Sequence, residues 1–256
     1  MIVAWWSGGL TSAVACRLAL QKYNNVKVVY IETGSHHSDT LRFKKDCEAW
    51  YGVGIETLQN KKYDNHIDVC LTGFINGPYG AKCTTELKKN VRFKFEKDNE
   101  ISNQVWGYEF TPKEVNRAIR TIEQYGYTNP LFPLIEEKLT KNECAGIVQS
   151  AGIEIPEMYK LGYSNNNCIG CVKGGAGYWN KIRVDFPEVF RAMAEAEREI
   201  NATCIKGRKF LDELDPKAGR NTKPVVSECG AFCQVNHAEI ISPLVEKIMN
   251  GASIYS

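Results

Sequence analysis

The sequence predicts an α/β fold, with a parallel sheet flanked by helices, followed by a Cys-rich, mainly helical C-terminal module. Three observations carry this expectation. Short apolar runs of strand character at 2–6, 26–31 and 55–58 alternate with stretches of helical pattern, an order that builds parallel sheets with crossover helices. The first run passes directly through Ser7-Gly8-Gly9-Leu10-Thr11-Ser12 into a helix over 13–20. Near Gly162 the chain changes to the polar stretch Tyr163-Ser164-Asn165-Asn166-Asn167 and then to close-set cysteines. The boundary is placed there, giving one domain over 1–162 and a module over 163–256 packed on it.

The strand–glycine–helix order at the start has a chemical use. Gly8 and Gly9 lack Cβ atoms, so the backbone there can take positive φ and come close to a ligand. The free N–H groups and dipole of the following helix favour an anion, and Ser7, Thr11 and Ser12 add hydroxyls. A phosphate suits this site; a bare βα turn is the alternative. No Lys follows the glycines and no third Gly completes a dinucleotide fingerprint, which excludes the two commonest phosphate loops.

The second strand ends in Glu32-Thr33-Gly34, and a helix is expected from about Thr40 to Tyr51. Ligands of parallel sheets bind outside the carboxyl ends of the strands, so 7–12 and 32–35 belong to one region. The acidic Glu32 and the hydroxyls beside it suit a ribose; helix capping by Ser35 or Ser38 is the alternative. Farther on, Thr84 or Thr85 is expected to cap a helix beginning near Cys83, and 104–107 reads as a strand. Thr111-Pro112-Lys113-Glu114 starts a helix, with Thr as cap, Pro at the first position and Glu closing a capping box. Gly126 is expected to end that helix. Thr140-Lys141-Asn142-Glu143 repeats the start signal, and a helix with Val189, Phe190, Met193 and Ala194 on its core face begins at Phe186-Pro187-Glu188.

The chain has 256 residues, 43% of them hydrophobic and 24% charged, the balance of an ordinary soluble globular protein. A net charge of +2 argues neither for nor against nucleic acid. No apolar run approaches the roughly 20 residues of a membrane span, and the first residues carry no signal-peptide pattern. A cytoplasmic protein without membrane contact is therefore expected. Ten cysteines in a reducing compartment point to metal ligands or reactive thiols rather than a disulfide frame.

Cys168-Ile169-Gly170-Cys171 is a C-x-x-C knuckle, and Cys229 and Cys233 form a second close pair. Two such pairs can make a four-thiolate site for zinc or an iron–sulfur cluster, with Cys83 as a fifth candidate. Cys16, Cys47, Cys70, Cys144 and Cys204 lie on helical or apolar patterns and read as core residues. Lys173-Gly174-Gly175-Ala176-Gly177 either cradles a phosphate or cluster sulfur, or is a flexible turn.

The opening loop resembles the PP-loop, S-G-G-x-D-S, of the adenine nucleotide alpha-hydrolase-like superfamily, with Thr11 at the Asp position. Further pieces resemble the phosphoadenosine phosphosulfate (PAPS) reductases. Residues 29–40 match their second strand and sugar loop, and Cys83-Thr84-Thr85-Glu86-Leu87-Lys88 their Cys-Thr-x-x-Leu-Lys segment. Trp106-Gly107 with Glu114 and Arg117, and Pro133-Leu134, Thr140, Ile155-Pro156, Tyr159 and Gly162, follow in the same order. The resemblance covers about Met1 to Cys171, and Glu228-Cys229-Gly230 resembles the family's tail motif.

The resemblance implies a Rossmann-like PP-loop fold and an enzyme that binds an adenine nucleotide (PAPS, APS or ATP) and reduces or transfers activated sulfur. Ser7, Gly8, Gly9, Thr11 and Ser12 would meet the phosphates. Ile31 and Gly107 would bracket the adenine, and Glu32, Thr33 and Gly34 the ribose. Lys88, Arg117 and Lys173 would hold a sulfate or second phosphate. Cys229, as nucleophile, and Lys88 are the catalytic candidates, and a thiol reductant such as thioredoxin is the implied partner. Cys168, Cys171, Cys229, Cys233 and Cys83 are the metal candidates, for a [4Fe–4S] cluster or zinc; Cys229 has two competing roles. One alternative is ATP-dependent thiolation of nucleic acid, which needs magnesium and usually an iron–sulfur cluster. In ATP-splitting relatives the loop Asp helps hold magnesium, so Thr11 speaks against it while the cysteines speak for it. The other is a nucleotide-sensing module without turnover.

Overall fold

The computed structural model describes residues 1–77, 80–205, 209–219 and 245–246. A five-stranded sheet has the order β3-β2-β1-β6-β7. Strands β1 (Ile2–Trp6), β2 (Val26–Glu32) and β3 (Ile55–Gln59) run one way across it. After a two-stranded hairpin, β4 (Asn76–Gly77) with β5 (Gly80–Ala81), the chain returns to the other side of β1 with β6 (Asn103–Val105) and β7 (Pro130–Leu131). All pairings in the larger sheet are parallel, with Trp6 opposite Tyr30 and Ala4 opposite Val105. The fold is the expected α/β, Rossmann-like arrangement.

The helices are α1 (Leu10–Lys22), α2 (Asp39–Tyr51), α3 (His66–Cys70), α4 (Lys82–Thr84), α5 (Asn90–Asp98), α6 (Pro112–Tyr125), α7 (Pro133–Glu136), α8 (Lys141–Ser150), α9 (Glu157–Lys160), α10 (Ala176–Asp185) and α11 (Pro187–Ile200). A π-helical turn, Thr85–Lys89, joins α4 to α5. Thr84 and Thr85 cap nothing; α4 begins earlier, at Lys82, because Ala81 is already extended. Thr111 caps α6 as expected, accepting from Glu114 N, but Glu114 turns to Arg117. Full capping boxes appear at Thr140 with Glu143 and at Asn65 with Asp68. Gly126 follows α6 without the left-handed conformation of a glycine stop (φ −54°).

Alternation along β1 sorts its side chains onto two faces. Ala4 and Trp6 enter a core with Leu10, Val14, Tyr30 and Phe43, while Val3 and Trp5 pack with Val29 and Phe95. Cys16, Cys47 and Cys144 are fully buried in the first core. A separate core holds Met158, Tyr163, Trp179, Ile182, Met193 and Leu211, joined by Cys70, Ile75, Ala81 and Cys204. Among the described residues no helix is long and apolar enough to cross a membrane.

Strand β6 is shorter than the 104–107 expected. Trp106 N still donates to Leu131 O at 2.9 Å, but Gly107 must leave the sheet. A Cβ on Gly107 would lie 2.7 Å from Ser12 Cα, so this backbone presses against the first turn of α1. The order in which successive strands are laid across the sheet reverses between β1 and β6, and that switch point, at the carboxyl ends of the strands, is where such sheets bind ligands.

Candidate functional site

A cleft of about 590 Å³ opens at this switch point. Its floor is the end of β1 and the Gly loop. Ser7 N and Ser7 Oγ both donate to Ser12 Oγ at 3.0 Å, and Ser12 Oγ donates to Gly9 O at 2.9 Å. The Ser12 hydroxyl, 3% exposed, is thus committed to shaping the loop, and Thr11 lies on the cleft wall. Gly8 has φ +83°, and its missing Cβ leaves room for Thr40 and Asn166; that of Gly9 leaves room for the Tyr159 hydroxyl. Both glycines therefore let the loop close on its own protein, with the backbone as the surface offered to a ligand. Gly9 is the extended N-cap of α1 and supplies no side-chain cap, so the first N–H groups of that helix lack side-chain acceptors from the cap residue.

The walls are cationic. The π turn and α5 bring Lys88, Lys89 and Arg92; α6 brings Lys113, Arg117 and Arg120. Only Glu109 and Glu114 oppose them there, and each has a cationic neighbour. Arg117 Nη1 is 3.1 Å from Glu114 Oε2 while its guanidinium lies 4.3 Å over Tyr108. Lys141 Nζ is 3.7 Å from Glu109 Oε1 and also donates to Ser164 O and Asn165 Oδ1. Ile31, Trp106, Gly107 and Tyr108 form the apolar side, at the ends of β2 and β6. A Gly-loop floor, a cationic wall and an aromatic flank together suit an anionic ligand with a planar apolar part.

Residues 1–72, from β1 through the Gly loop and the loop after β2, match the family model of the phosphoadenosine phosphosulfate reductase domain. The likeness to that domain is carried by this N-terminal part of the chain. Two curated relatives come from Methanocaldococcus jannaschii. Uncharacterized protein MJ0973 is 20% identical over 83% of this chain and 52% of its own length. Uncharacterized protein MJ0066 is 24% identical over 77% of this chain and 42% of its own. The chain thus spans about half the length of the curated relatives it matches. Among solved structures, the phosphate complex of PAPS reductase from Candida auris is 13% identical, with a TM-score of 0.48 over 65% of this chain and 80% of that one.

Of the sequence-derived candidates, Ser7, Thr11, Ser12, Ile31, Lys88, Gly107 and Arg117 line this cleft. Glu32, Thr33 and Gly34 are placed otherwise. The Glu32 carboxylate folds back to accept from Thr33 N and Gly34 N, each at 2.7 Å, and from the Tyr30 hydroxyl at 2.8 Å, with His36 Nδ1 at 3.3 Å. Burial opposes its charge, but the bonds from His36, Tyr30 and the Gly34 backbone outweigh that and hold the carboxyl at about 2. It is spent on its own loop rather than offered to a ribose. Thr33 is buried, its Oγ1 3.2 Å from Cys168 Sγ. Gly34 (φ +68°) is demanded by packing, since a Cβ there would fall 1.6 Å from Asp64 O. Lys173 is not part of the cleft wall.

Behind this loop the C-x-x-C knuckle is tied to the loop after β2 and to α3. Ile169 N donates to Ser35 O at 2.8 Å. His66 Nε2 donates to Gly170 O at 2.9 Å, which leaves Nδ1 to accept from Ser35 Oγ at 2.8 Å. Burial keeps His66 neutral, its pKa lowered to about 4. Cys83 belongs to the second core with Ile169. Its thiol is pushed up to about 11 by burial, then by Cys168 and Cys171, so the three sulfurs lie in one another's field. Among the described residues, however, no group of three or more His, Cys, Asp or Glu side chains is arranged to hold a metal. Cys229 and Cys233 lie outside the described residues. The described thiols alone therefore do not make a metal site.

Sequence reasoning missed Arg92, Lys89, Arg120 and Tyr125 as cleft residues, and Asn166 as a support of the loop. Arg92 follows Lys88 by four positions, a spacing that shares a helix face, and was legible on that ground. Asn166 sits in a stretch read only as a polar loop at the domain boundary.

Proposed function

We propose that the protein is a PAPS reductase-like enzyme that binds an adenine nucleotide in this cleft and reduces or transfers its activated sulfur. The observation that carries the reading is the meeting of the Gly loop with the cations Lys88 and Arg117 at the sheet's switch point. The loop backbone and α1 would take the nucleotide phosphate, Ile31 and Gly107 would flank the adenine, and Lys88 and Arg117 would hold the sulfate. Cys229 would supply the nucleophile. Its thiolate would form an S–S bond to the sulfonyl sulfur as the S–O bond to phosphate breaks and the nucleoside phosphate leaves. A dithiol reductant of the thioredoxin class would then deliver two electrons, releasing sulfite and restoring the thiol. In this reading 1–162 is the nucleotide domain and 163–256 the module that brings the cysteine to it.

The mutual electrostatic influence of Cys83, Cys168 and Cys171 supports a second reading. Completed by Cys229 and Cys233, they would hold a [4Fe–4S] cluster or zinc, and the enzyme would thiolate nucleic acid using ATP and magnesium. A thermal-shift panel with ATP, APS and PAPS, each with and without magnesium, decides between them, because a ligand bound at about 100 times its Kd stabilises by about 2.7 kcal/mol. The first reading expects APS or PAPS to raise the midpoint without magnesium. A shift with ATP and magnesium alone selects the second, and no shift with any nucleotide overturns both.

A further inference from the structure

Arg92 lies on α5 with its side chain 10% exposed. Its guanidinium carbon sits 4.5 Å from the ring centre of Tyr125 and 5.2 Å from that of Trp106. Nε and Nη2 are shut off from water and have no hydrogen-bond acceptor. Glu96 Oε1 comes within 3.1 Å of Nε, but out of line for a hydrogen bond; that oxygen accepts from Gln104 Nε2 at 2.8 Å. The indole Nε1 of Trp106 is buried and equally without an acceptor. Both residues line the cleft.

Aromatic faces offset part of a buried cation's charge, but they offer no acceptor to the in-plane N–H groups of a guanidinium. Buried donors are normally paired, and here two neighbouring side chains leave theirs open on one wall of a ligand cleft. We propose that Arg92 and Trp106 form a recessed oxyanion subsite, in which a phosphate, sulfate or carboxylate group accepts from the guanidinium and from the indole N–H. The planar fork of Arg suits such a group better than an ammonium does. Glu96 and Gln104 are positioning residues, and Tyr125, at the end of α6, is the side chain that turns aside for the ion. The oxyanion is carried either by the nucleotide, as a second phosphate, or by the second reactant. The inference rests on reading the cleft as a ligand site.

The test titrates inorganic sulfate into the full chain, following indole fluorescence and the thermal midpoint, and measures AMP and adenosine 3′,5′-bisphosphate by calorimetry. Wild type, Arg92→Met, Arg92→Lys and Trp106→Phe are compared. Loss of a charge-assisted hydrogen bond predicts an oxyanion response at least about tenfold weaker in Arg92→Met, a larger loss than that in AMP affinity, with partial recovery in Arg92→Lys. Selective loss of bisphosphate affinity assigns the oxyanion to the nucleotide. An Arg92-dependent sulfate response with AMP and bisphosphate bound alike assigns it to the second reactant. If Arg92→Met does not fold, Arg92→Lys and Trp106→Phe decide by the same readings. Variants that respond to sulfate and bisphosphate as wild type does, even with a lowered midpoint, overturn the subsite and leave only an aromatic cage. A wild type that ignores adenine nucleotides yet shows the Arg92-dependent response removes the proposed function and keeps the subsite.

Discussion

Asn166 Nδ2 donates to the carbonyl oxygen of Gly8 at 2.8 Å and to Thr40 Oγ1 at 3.2 Å. A residue from the polar stretch after Gly162 therefore holds the outer side of the Gly loop, where the Tyr159 hydroxyl also accepts from Leu10 N at 3.4 Å. The floor of the cleft is set in part by chain more than 150 residues away.

Replacing Asn166 by Ala strands the Gly8 carbonyl in a buried place, at a cost of about 1–3 kcal/mol. Urea unfolding is expected to show that loss, and calorimetry a several-fold weaker nucleotide affinity. Wild-type values for both would mean that the loop holds its shape without Asn166.

Gly34→Ala is expected to be more damaging than Gly8→Ala. Both positions have positive φ, a conformation that costs a non-Gly residue about 1–2 kcal/mol. At Gly8 the new methyl meets Thr40 Cγ2 at 3.1 Å, whereas at Gly34 it meets the backbone oxygen of Asp64 and forces the loop apart. Thermal midpoints of the two variants give the order, and a Gly34 variant as stable as the Gly8 variant contradicts it.

His66 predicts an acid limb in stability. Burial lowers its folded pKa from 6.5 to about 4, so between those values the unfolded chain binds the extra proton. The stabilising contribution is complete above about 6.5 and is lost as pH falls toward 4. Urea midpoints taken across that window are expected to decline in the wild type and to decline less steeply in His66→Gln, which cannot take up the proton. Parallel pH profiles for the two proteins would rule His66 out as the source.

For the cysteines, anaerobic purification followed by metal analysis and visible absorption is the measurement. Brown protein with iron and labile sulfide is expected for a cluster, and colourless protein with one zinc for a structural centre. Metal-free protein whose Cys168 is freely alkylated removes the metal and leaves thiol chemistry at Cys229.

The β1–loop–α1 unit was legible because its chemistry is local: an apolar run, two glycines and a helix start. The parallel sheet followed from alternation of strands and helices. The bonds of Glu32 to its own loop were not legible, because an acidic residue at a strand end has the same signature whether it faces a ribose or its own loop. What turns it inward is Tyr30 two residues before and His36 four after, and their convergence is tertiary. The aromatic wall was hidden for the same reason, since Arg92, Trp106 and Tyr125 come from three elements and meet only in the fold.

The π turn at Thr85–Lys89 sets the phase of a helix with two jobs. Cys83, before it, packs in the second core, while Lys88 and Arg92, within and after it, line the cleft. A π turn carries one residue more than an α turn, so it shifts the rotational phase of everything downstream. Removing one residue between 85 and 89 would restore a regular helix and swing its two ends out of step by about 100°. The helix would survive, but the thiol and the cations could no longer both face their own sides. The segment therefore tolerates exchange of residues far better than any change in its number.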